Sequence, residues 1–395
     1  MQGIDRRCWP AMALLGVLWS ALASAAAPVP DCPLAKAPYS SRSPLLDLLL
    51  DPAAKAVIAK QTPGVLKPPF GGDEWPTNTP SFAAILTPSL LLALGPEGAE
   101  SAVELDAALA EIPITDTAMQ NRCARYDHVP PNLPEALPRN ALLVFGKWNG
   151  FRDSPSVEAA ETSLRSLAQA QDWALVFTDN AAVFNRAQLA RFSAVIWNNV
   201  SGDALTLSQR QAFREWIEAG GGFVGIHGSG GDPAYFWDWY ADVLVGARFI
   251  GHPMNPQFQQ ARLVVEPGAP EMTHDLPPNW MLEEEWYSFD RSPRSAGAEV
   301  LVRLDESSYS PEGMGRNLRM GDHPVVWRQC IGHGRSFYTA LGHRPEIYRD
   351  PGAAALLARG IAWAAGWTDA YGAKGESPRI IGCRLPGAAH GFQPN

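Results

Sequence analysis

The sequence predicts an α/β protein in which helices cover both faces of a mainly parallel β-sheet. Short, continuously apolar runs recur along the chain, which is typical of strands that are buried on both faces. Helical patterns separate these runs at the spacing of βαβ units, so the crossovers should be right-handed and the sheet parallel. Of the 395 residues, 46% are hydrophobic and 18% are charged, which is enough apolar material for a large core.

A small helical segment is predicted before the α/β pattern, over residues 28–139. Proline-rich stretches at residues 63–80 and 130–138 interrupt and end this segment. Short helices are predicted at residues 43–50, 52–58, 81–94 and 99–112. We therefore interpret residues 28–139 as a helical N-terminal segment followed by a proline-rich linker.

Alternating strands and helices follow from residue 140 onwards. Strands are predicted at residues 141–145, 174–177, 194–197 and 223–226. Helices are predicted at residues 156–171 and 186–192, and a third begins at the capping box of Thr206 and Gln209 and ends at Gly220. These elements form the three-layer, parallel half of the expected domain.

The second half of this domain is richer in β-structure. Strands are predicted at residues 262–265, 299–302, 324–327 and 336–339, and the last two flank a hairpin turn at residues 332–334. A final helix is expected over residues 353–365. We predict one α/β domain over residues 140–368, with a β-rich insertion in its C-terminal part and an extended tail over residues 369–395.

The first 27 residues resemble a secretory signal peptide. Arg6 and Arg7 precede an apolar stretch at residues 11–23, and small residues at Ala23 and Ala25 provide a cleavage site. No other segment is apolar and long enough to cross a bilayer. The sequence therefore predicts a periplasmic or secreted protein with no membrane span after cleavage of residues 1–27.

Four cysteines follow the expected cleavage site. In an oxidising compartment an even number of cysteines indicates two disulfides, for which three pairings are possible. We favour Cys32 with Cys123 and Cys330 with Cys383, and unpaired buried thiols are the alternative. The spacing of the four cysteines does not match a cysteine-based zinc site.

Composition also limits the partners of the chain. The net charge of −9 leaves no basic face for a polyanion, so we expect no nucleic-acid partner. The 14 tryptophans are favoured in cores, and they are equally typical of surfaces that bind the C–H face of a sugar ring. A small carbohydrate is therefore the expected ligand.

Polar residues follow three of the predicted parallel strands, at the edge where ligands bind in open α/β sheets. Lys147 and Trp148 follow the first strand, Asn198 and Asn199 the third, and His227 the fourth. Asparagines are also common turn formers, and loop charges are often merely solvated. A histidine in a glycine-rich turn after a buried strand is the strongest candidate for the site.

A second cluster of interest comprises the three acidic residues 283–285, which Trp286 follows. If an apolar pocket buried one of these carboxyls, its pKa would rise toward that of a general acid or base. The carboxylate would alternatively join histidines as a ligand of zinc. A solvated acidic turn is the simplest alternative.

Taken together and in this order, several motifs are similar to those of the trehalose-utilisation (ThuA-like) family, over residues 121–366. They lie at residues 123–127, 143–152, 198–203, 220–228, 251–253, 284–289, 323–327 and 334–343. The resemblance implies a flavodoxin-like fold related to class I glutamine amidotransferases. Those enzymes carry a nucleophilic cysteine in a Gly-x-Cys-x-Gly turn, and His227 occupies that position here, which excludes glutaminase chemistry.

The resemblance and the residues together predict an exported enzyme that acts on a disaccharide or 3-keto-glycoside by acid/base chemistry, as a lyase, isomerase or hydrolase. His227 and Glu285 are the expected proton-transfer groups. The expected substrate-binding residues are Lys147, Trp148, Asn198, Asn199, Trp286 and His343. Two alternatives stay open: a metal-dependent hydrolase with zinc held by His227, His252 and Glu285, with His343 as an alternative ligand, and a non-catalytic carbohydrate-binding or scaffolding module.

Overall fold

The structure is a computed structural model that describes residues 30–95, 98–313 and 315–367, together with Cys383. The predicted signal peptide and, apart from Cys383, the predicted tail lie outside the described residues. Within the described part, no helix combines the length and the apolar character that a membrane span requires.

The described part of the N-terminal segment contains five helices, and the first four pack around a hydrophobic cluster of their own. The five helices are α1 (Leu45–Leu49), α2 (Pro52–Gln61), α3 (Pro88–Leu94), α4 (Ser101–Ala110) and α5 (Asp116–Cys123). Short 3-10 helices lie at Pro63–Leu66 and Phe82–Ala84. The single helix predicted at residues 81–94 is in fact two, because Thr87 caps a new helix that begins at Pro88. The sequence analysis did not predict α5.

The parallel half of the sheet agrees with the prediction to within one or two residues. Its strands are β1 (Ala141–Phe145), β2 (Ala174–Thr178), β3 (Ala194–Asn198) and β4 (Gly222–Ile226), in the order β2-β1-β3-β4. The intervening helices are α6 (Ser154–Gln171), α7 (Arg186–Leu189) and α8 (Leu207–Glu218). The predicted capping box at Thr206 is present. All residues of β1, β3 and β4 are buried, as the continuous apolar runs require.

Most strands of the β-rich part continue the same sheet beyond β4, and four short strands form two separate pairs. The strands of this part are β5 (Phe249–Gly251), β6 (Phe258–Val265), β7 (Trp280–Glu285), β8 (Ser288–Phe289), β9 (Glu299–Leu304), β10 (Glu312–Gly313), β11 (Arg316–Asn317), β12 (Pro324–Ile331) and β13 (Gly334–Thr339). The two separate pairs are β5 with β8 and β10 with β11. The full order is β2-β1-β3-β4-β13-β12-β9-β6-β7, with β13 parallel to β4 and the later pairs antiparallel. The β12–β13 pair is the predicted hairpin, and β7 was not predicted.

The remaining helices connect or cover these strands. They are α9 (Pro270–Thr273) and α10 (Pro351–Ala364), the 3-10 helices Ala181–Val183, His227–Gly230, Pro293–Ala296 and Pro345–Arg349, and the π-helix Trp239–Val245. One large hydrophobic cluster joins the strands to the helices on both faces. The predicted α/β class is confirmed, with a central sheet that is parallel from β2 to β13 and antiparallel from β13 to β7.

Two disulfides are present, with the favoured pairing. Cys32 is bonded to Cys123 at the end of α5, with a Cα–Cα distance of 5.6 Å. Cys330 in β12 is bonded to Cys383, with a Cα–Cα distance of 5.5 Å. The first closes the N-terminal segment on itself, and the second attaches Cys383 to the antiparallel part of the sheet.

Polar contacts connect the end of the N-terminal segment to the α/β part. The Tyr126 hydroxyl donates a hydrogen bond to Asp203 at 2.9 Å, and the Gln209 side chain donates to the Asp127 carbonyl at 2.7 Å. Lys147, just after β1, pairs with the Asp127 carboxylate at 2.7 Å. The segment is therefore held against the same sheet edge to which the polar strand ends belong.

Candidate functional site

The central residue of the site is His227, which follows β4 and is 2% exposed. Its φ of +37° is uncommon for a residue other than glycine and is typical of a strained turn at a functional site. Because β13 runs parallel to β4 with Thr339 opposite Ile226, the next residue, Ala340, lies beside His227. The ring Nδ1–H of His227 donates to the Ala340 carbonyl at 2.7 Å, which directs Nε2 into the site.

Two further side chains meet His227 from separate parts of the sheet. Glu285 is the last residue of β7 and is 2% exposed, and His343 follows β13. Glu285 Oε2 lies 2.8 Å from His343 Nδ1 and 3.3 Å from His227 Nε2. The two ring nitrogens are 3.3 Å apart. Three potential ligand atoms therefore converge on one small volume, and we call these three residues the His–Glu–His cluster.

The second carboxylate oxygen of Glu285 has different partners. The Gln257 side chain donates to Glu285 Oε1 at 2.5 Å, and His252 Nε2 lies 3.3 Å from the same oxygen. The Nδ1 atom of His252 is 2.8 Å from the Pro253 carbonyl. Its side chain is more exposed than those of His227 and His343, so His252 borders the site on the solvent side.

The environment sets the charges of the cluster. Burial raises the pKa of Glu285, but the adjacent imidazoles of His227 and His343 outweigh it and hold this pKa well below its usual range. Burial lowers the pKa of His227. For His343, burial also lowers the pKa, but the hydrogen bond with Glu285 outweighs it, so the net shift is upward. Glu285 is therefore a carboxylate at neutral pH, and His227 is neutral.

The neighbouring carboxyl of Glu284 anchors the site. It is fully buried and accepts hydrogen bonds from the backbone N–H groups of Glu285 at 2.8 Å, Gly342 at 2.9 Å and Arg344 at 3.2 Å. Burial raises its pKa to about 8, although these hydrogen bonds oppose the shift. The acid with the raised pKa is therefore Glu284, which ties β7 to the loop that carries His343.

The geometry of the cluster is suited to a metal ion. Within the described residues, His227, Glu285 and His343 are the group of metal-binding side chains whose ligand atoms all lie within 4.8 Å of one another. Zinc bonds of about 2.0–2.1 Å in a tetrahedron would separate the ligand atoms by about 3.4 Å, close to the observed 2.8–3.3 Å. The hydrogen bond from His227 to Ala340 is the kind of support that metal-binding histidines usually have. The group differs from the predicted metal set by one residue, because it contains His343 instead of His252.

Other predicted site residues lie at the same sheet edge but have partners in the scaffold. Lys147 is engaged with Asp127, and Trp148 lies beneath the Arg152 guanidinium, at 4.7 Å from its ring centre. Trp286 was expected to stack on a sugar ring. Instead it is 1% exposed and its indole N–H donates to the Gln259 carbonyl at 2.7 Å, so no face of its ring is available to a ligand.

Asn198 and Asn199 support the turn around His227. Asn198 donates to the Val157 carbonyl at 3.1 Å and accepts from the Asn199 amide at 3.0 Å. The Asn199 side-chain oxygen accepts from the Gly228 N–H at 3.1 Å. Both side chains are buried, and their expected role in binding substrate stays a prediction.

Two residues of the site were not identified from the sequence. Tyr287 stacks on His227, with ring centres 4.1 Å apart and an angle of 27° between the planes. Gln257 fixes one oxygen of Glu285, as described above. Tyr287 lies in the same motif as Glu285 and could have been proposed from it, but nothing in the local pattern around Gln257 indicates its role.

The sheet order and the histidine turn define an α/β protein of the flavodoxin-like type that carries a His–Glu–His cluster at the ends of its strands. The family profile described as trehalose utilisation, ThuA, matches residues 141–364, so the chain belongs to the ThuA family. A solved ThuA-like protein from Bacteroides uniformis is 26% identical with a TM-score of 0.50, and the match covers 60% of this chain and 96% of that one.

A ThuA-like protein from Parabacteroides merdae is also similar, with 17% identity, a TM-score of 0.45, and coverage of 58% of this chain and 90% of that one. A search of curated protein sequences found no match for the chain. Membership of this family indicates a carbohydrate-related function.

Proposed function

We propose that the chain is an exported, carbohydrate-active enzyme whose His–Glu–His cluster binds a divalent metal such as zinc. The substrate we propose is a disaccharide or 3-keto-glycoside, in line with the description of the family. The observation that carries the proposal is the convergence of His227 Nε2, His343 Nδ1 and Glu285 Oε2 in a buried site.

A count of protons supports a cation at this point. The Nδ1–H of His227 is used by the Ala340 carbonyl, so neutral His227 presents a lone pair on Nε2. That lone pair lies 3.3 Å from the Glu285 carboxylate, which can only accept hydrogen bonds. Two facing acceptors repel one another unless a proton or a cation lies between them. Burial lowers the pKa of His227 and disfavours its protonation, and the single Nδ1–H of His343 would have to serve both acceptors, at 3.3 and 2.8 Å. A metal cation would bind all three atoms at once and is the better explanation.

The two oxygens of Glu285 would have different roles in the reaction, since Oε2 faces the metal site and Oε1 faces His252. A bound zinc ion would supply a Lewis acid for a carbonyl or hydroxyl oxygen of the sugar. His252, on the Oε1 side, is placed to remove a proton from the carbon next to a sugar carbonyl. Glu285 would stabilise the resulting imidazolium, which would return the proton to the departing oxygen. These reaction steps amount to an elimination, and addition of water to the product would complete a hydrolysis.

A metal-free acid/base mechanism is the second candidate, with His227 and Glu285 as proton-transfer groups. It is supported by the 2.8 Å contact between Glu285 and His343, whose pKa values are shifted in opposite directions. Such a pair provides an acid and a base in one site. Metal content separates the two candidates.

Export is supported by the two disulfides, since such bonds persist mainly in oxidising compartments. The predicted signal peptide at residues 1–27 would direct the chain there. Edman sequencing of the protein recovered from the periplasm or medium of the producing cells would test this, and an intact N-terminus would contradict it.

Metal analysis of the purified protein, followed by zinc titration calorimetry, tests the first candidate. We expect about one zinc per chain in the wild type and little in His227→Ala, His343→Ala or Glu285→Gln. His333→Ala is the matched control, because His333 is exposed at the tip of the β12–β13 hairpin. Equal zinc binding by the wild type and His227→Ala would rule out this metal site.

Turnover of native and 3-keto disaccharides, followed by NMR, tests the enzymatic role. We expect His252→Ala to keep its zinc and to lose turnover by about 10²–10⁴-fold, as is typical for removal of a proton-transfer group. If the wild type binds these sugars but converts none of them, the protein is a carbohydrate-binding module instead.

A further inference from the structure

A row of aromatic rings extends from the protein surface to the His–Glu–His cluster. Phe82 stacks on Phe151, with ring centres 5.0 Å apart and an angle of 24° between the planes. Phe70 lies against the other side of this pair, 4.9 Å from Phe82. At the inner end, the ring of Phe151 is 6.4 Å from that of His343. We call Phe70, Phe82 and Phe151 the phenylalanine row.

The two ends of the row are unusually exposed. Phe70 is 48% exposed and Phe151 is 40% exposed. Among the phenylalanine, tyrosine and tryptophan side chains of residues 30–95, 98–313 and 315–367, these two are the most exposed. Both contact the same ring, that of Phe82, next to the candidate site. Exposed aromatic faces grouped beside a polar site are typical of a ligand surface.

The row joins two separate parts of the chain in a fixed arrangement. Phe70 and Phe82 come from the N-terminal segment, and Phe151 comes from the loop after β1. The Ser81 N–H donates to the Asn149 carbonyl at 3.0 Å, so the turn that carries Phe82 is bonded to that loop. The row is therefore part of the folded scaffold and does not depend on ligand to form.

The surroundings of the row favour a sugar over an apolar ligand. Arg152 directly follows Phe151 and is exposed, and Arg344, next to His343, lies 5.6 Å from the ring of Phe258. Flat apolar faces are thus bordered by charged donors. A pyranose ring has the complementary shape, with an apolar C–H face and hydroxyl groups around its edge.

We propose that the phenylalanine row binds the second ring of a disaccharide whose reacting ring lies at the His–Glu–His cluster. This inference rests on the proposed function and names its substrate class: a glycoside of two sugar rings, in preference to a single ring. The N-terminal segment would therefore determine substrate specificity, and Phe151 is a positioning residue for the ring that does not react.

Binding of two probes tests this proposal: trehalose, with two rings, and methyl α-D-glucopyranoside, with one. Calorimetric titration of the zinc-loaded protein with each sugar gives the dissociation constants. For Phe151→Ala and Phe70→Ala we expect trehalose to bind about 3–10-fold more weakly, as loss of an aromatic contact predicts. The single-ring sugar should bind as it does to the wild type.

Substitutions at the same position separate ring stacking from bulk. Phe151→Trp should retain the affinity for trehalose, whereas Phe151→Leu, which keeps apolar volume but has no flat face, should lose it. Leu94→Ala is the matched control, because Leu94 is an exposed apolar residue of the same segment that is not part of the row. Zinc content should be unchanged in every variant.

The possible results are distinct. Unchanged trehalose affinity in Phe151→Ala, or equal weakening of both sugars, overturns the role of the row and leaves the proposed function standing. Failure of the zinc-loaded wild type to bind either sugar overturns the carbohydrate part of the proposed function and this inference with it. Loss of two-ring selectivity with retained single-ring binding supports the proposal.

Discussion

A methyl group added at Gly150 should loosen the contact between the N-terminal segment and the site loop. A Cβ at this position would lie 2.5 Å from Ile85 Cγ2, 2.5 Å from Ser201 Oγ and 3.2 Å from the Gly202 nitrogen. Real Cβ atoms do not approach other atoms at 2.5 Å, so a neighbour must move. In Gly150→Ala, either Ile85 of the N-terminal segment or Ser201 and Gly202 of the α/β part must therefore move away from the new methyl group.

The hydrogen bonds indicate which side moves. Ser201 Oγ donates to Asp232 at 2.6 Å and accepts from the Phe151 N–H at 2.9 Å, and the Gly202 N–H donates to Asp232 at 2.7 Å. Ile85 contributes only apolar contacts to this junction, so it should move outward, and the Ser201 hydroxyl must shift slightly and weaken one of its hydrogen bonds. Overpacking costs about 1–3 kcal/mol, and one weakened buried hydrogen bond costs about 1 kcal/mol. We expect Gly150→Ala to lower the free energy of unfolding by about 2–4 kcal/mol.

Guanidinium denaturation followed by tryptophan fluorescence measures this difference. Gly268→Ala is the matched control, because its Cβ would meet only the mobile end of the Glu299 side chain, at 3.3 Å. The control should stay within about 0.5 kcal/mol of the wild type. If Gly150→Ala is as stable as this control, the segment does not pack against the loop as described and the reasoning is refuted.

Two further predictions concern stability. Burial raises the pKa of Asp232 to about 7 despite its hydrogen bonds, so the folded chain keeps a proton that the unfolded chain releases above about pH 4. The free energy of unfolding should therefore fall by up to ~4 kcal/mol as the pH rises from about 4 to about 7. Asp232→Asn should reduce this slope in denaturant unfolding across that range, and an unchanged slope would contradict the assignment. Separately, Cys32→Ser with Cys123→Ser opens a loop whose ends are 91 residues apart. Calorimetric unfolding should show that the free energy of unfolding falls by about 4–5 kcal/mol, because the open loop gives the unfolded chain more conformational entropy. A double variant as stable as the wild type would contradict this prediction.

The parallel half of the fold was predictable because its signal is local. A continuous apolar run between helical patterns specifies a strand buried on both faces, and β1 to β4 were predicted within one residue at each end. Strand β7 was missed because it ends in three acidic residues. Burial of Glu284 requires backbone N–H donors from residues 342 and 344, which lie about 60 residues further along the chain. No local pattern contains that information.

The members of the site were predictable, but their grouping was not. His227, Glu285, His252 and His343 were all named from the sequence as candidate site residues. Which histidine faces which oxygen of Glu285 depends on β13 lying beside β4, a long-range pairing. This pairing brings His343 next to His227, whereas His252 lies at the opposite oxygen. The structure therefore groups His343 with the other potential metal ligands, whereas the metal set predicted from the sequence contained His252.

The phenylalanine row could not be predicted, because it combines side chains from two parts of the chain that are far apart in sequence. The family profile begins at residue 141, after Phe70 and Phe82, and the match to the Bacteroides uniformis protein spans 96% of that protein but only 60% of this chain. A relative of that length has no counterpart for most of the N-terminal segment. If the row selects the second sugar ring, such relatives should share the chemistry of the cluster and differ in preference for one ring or two. Substrate selection in this chain would then be separable from its chemistry, since the residues for each lie on different parts of the fold.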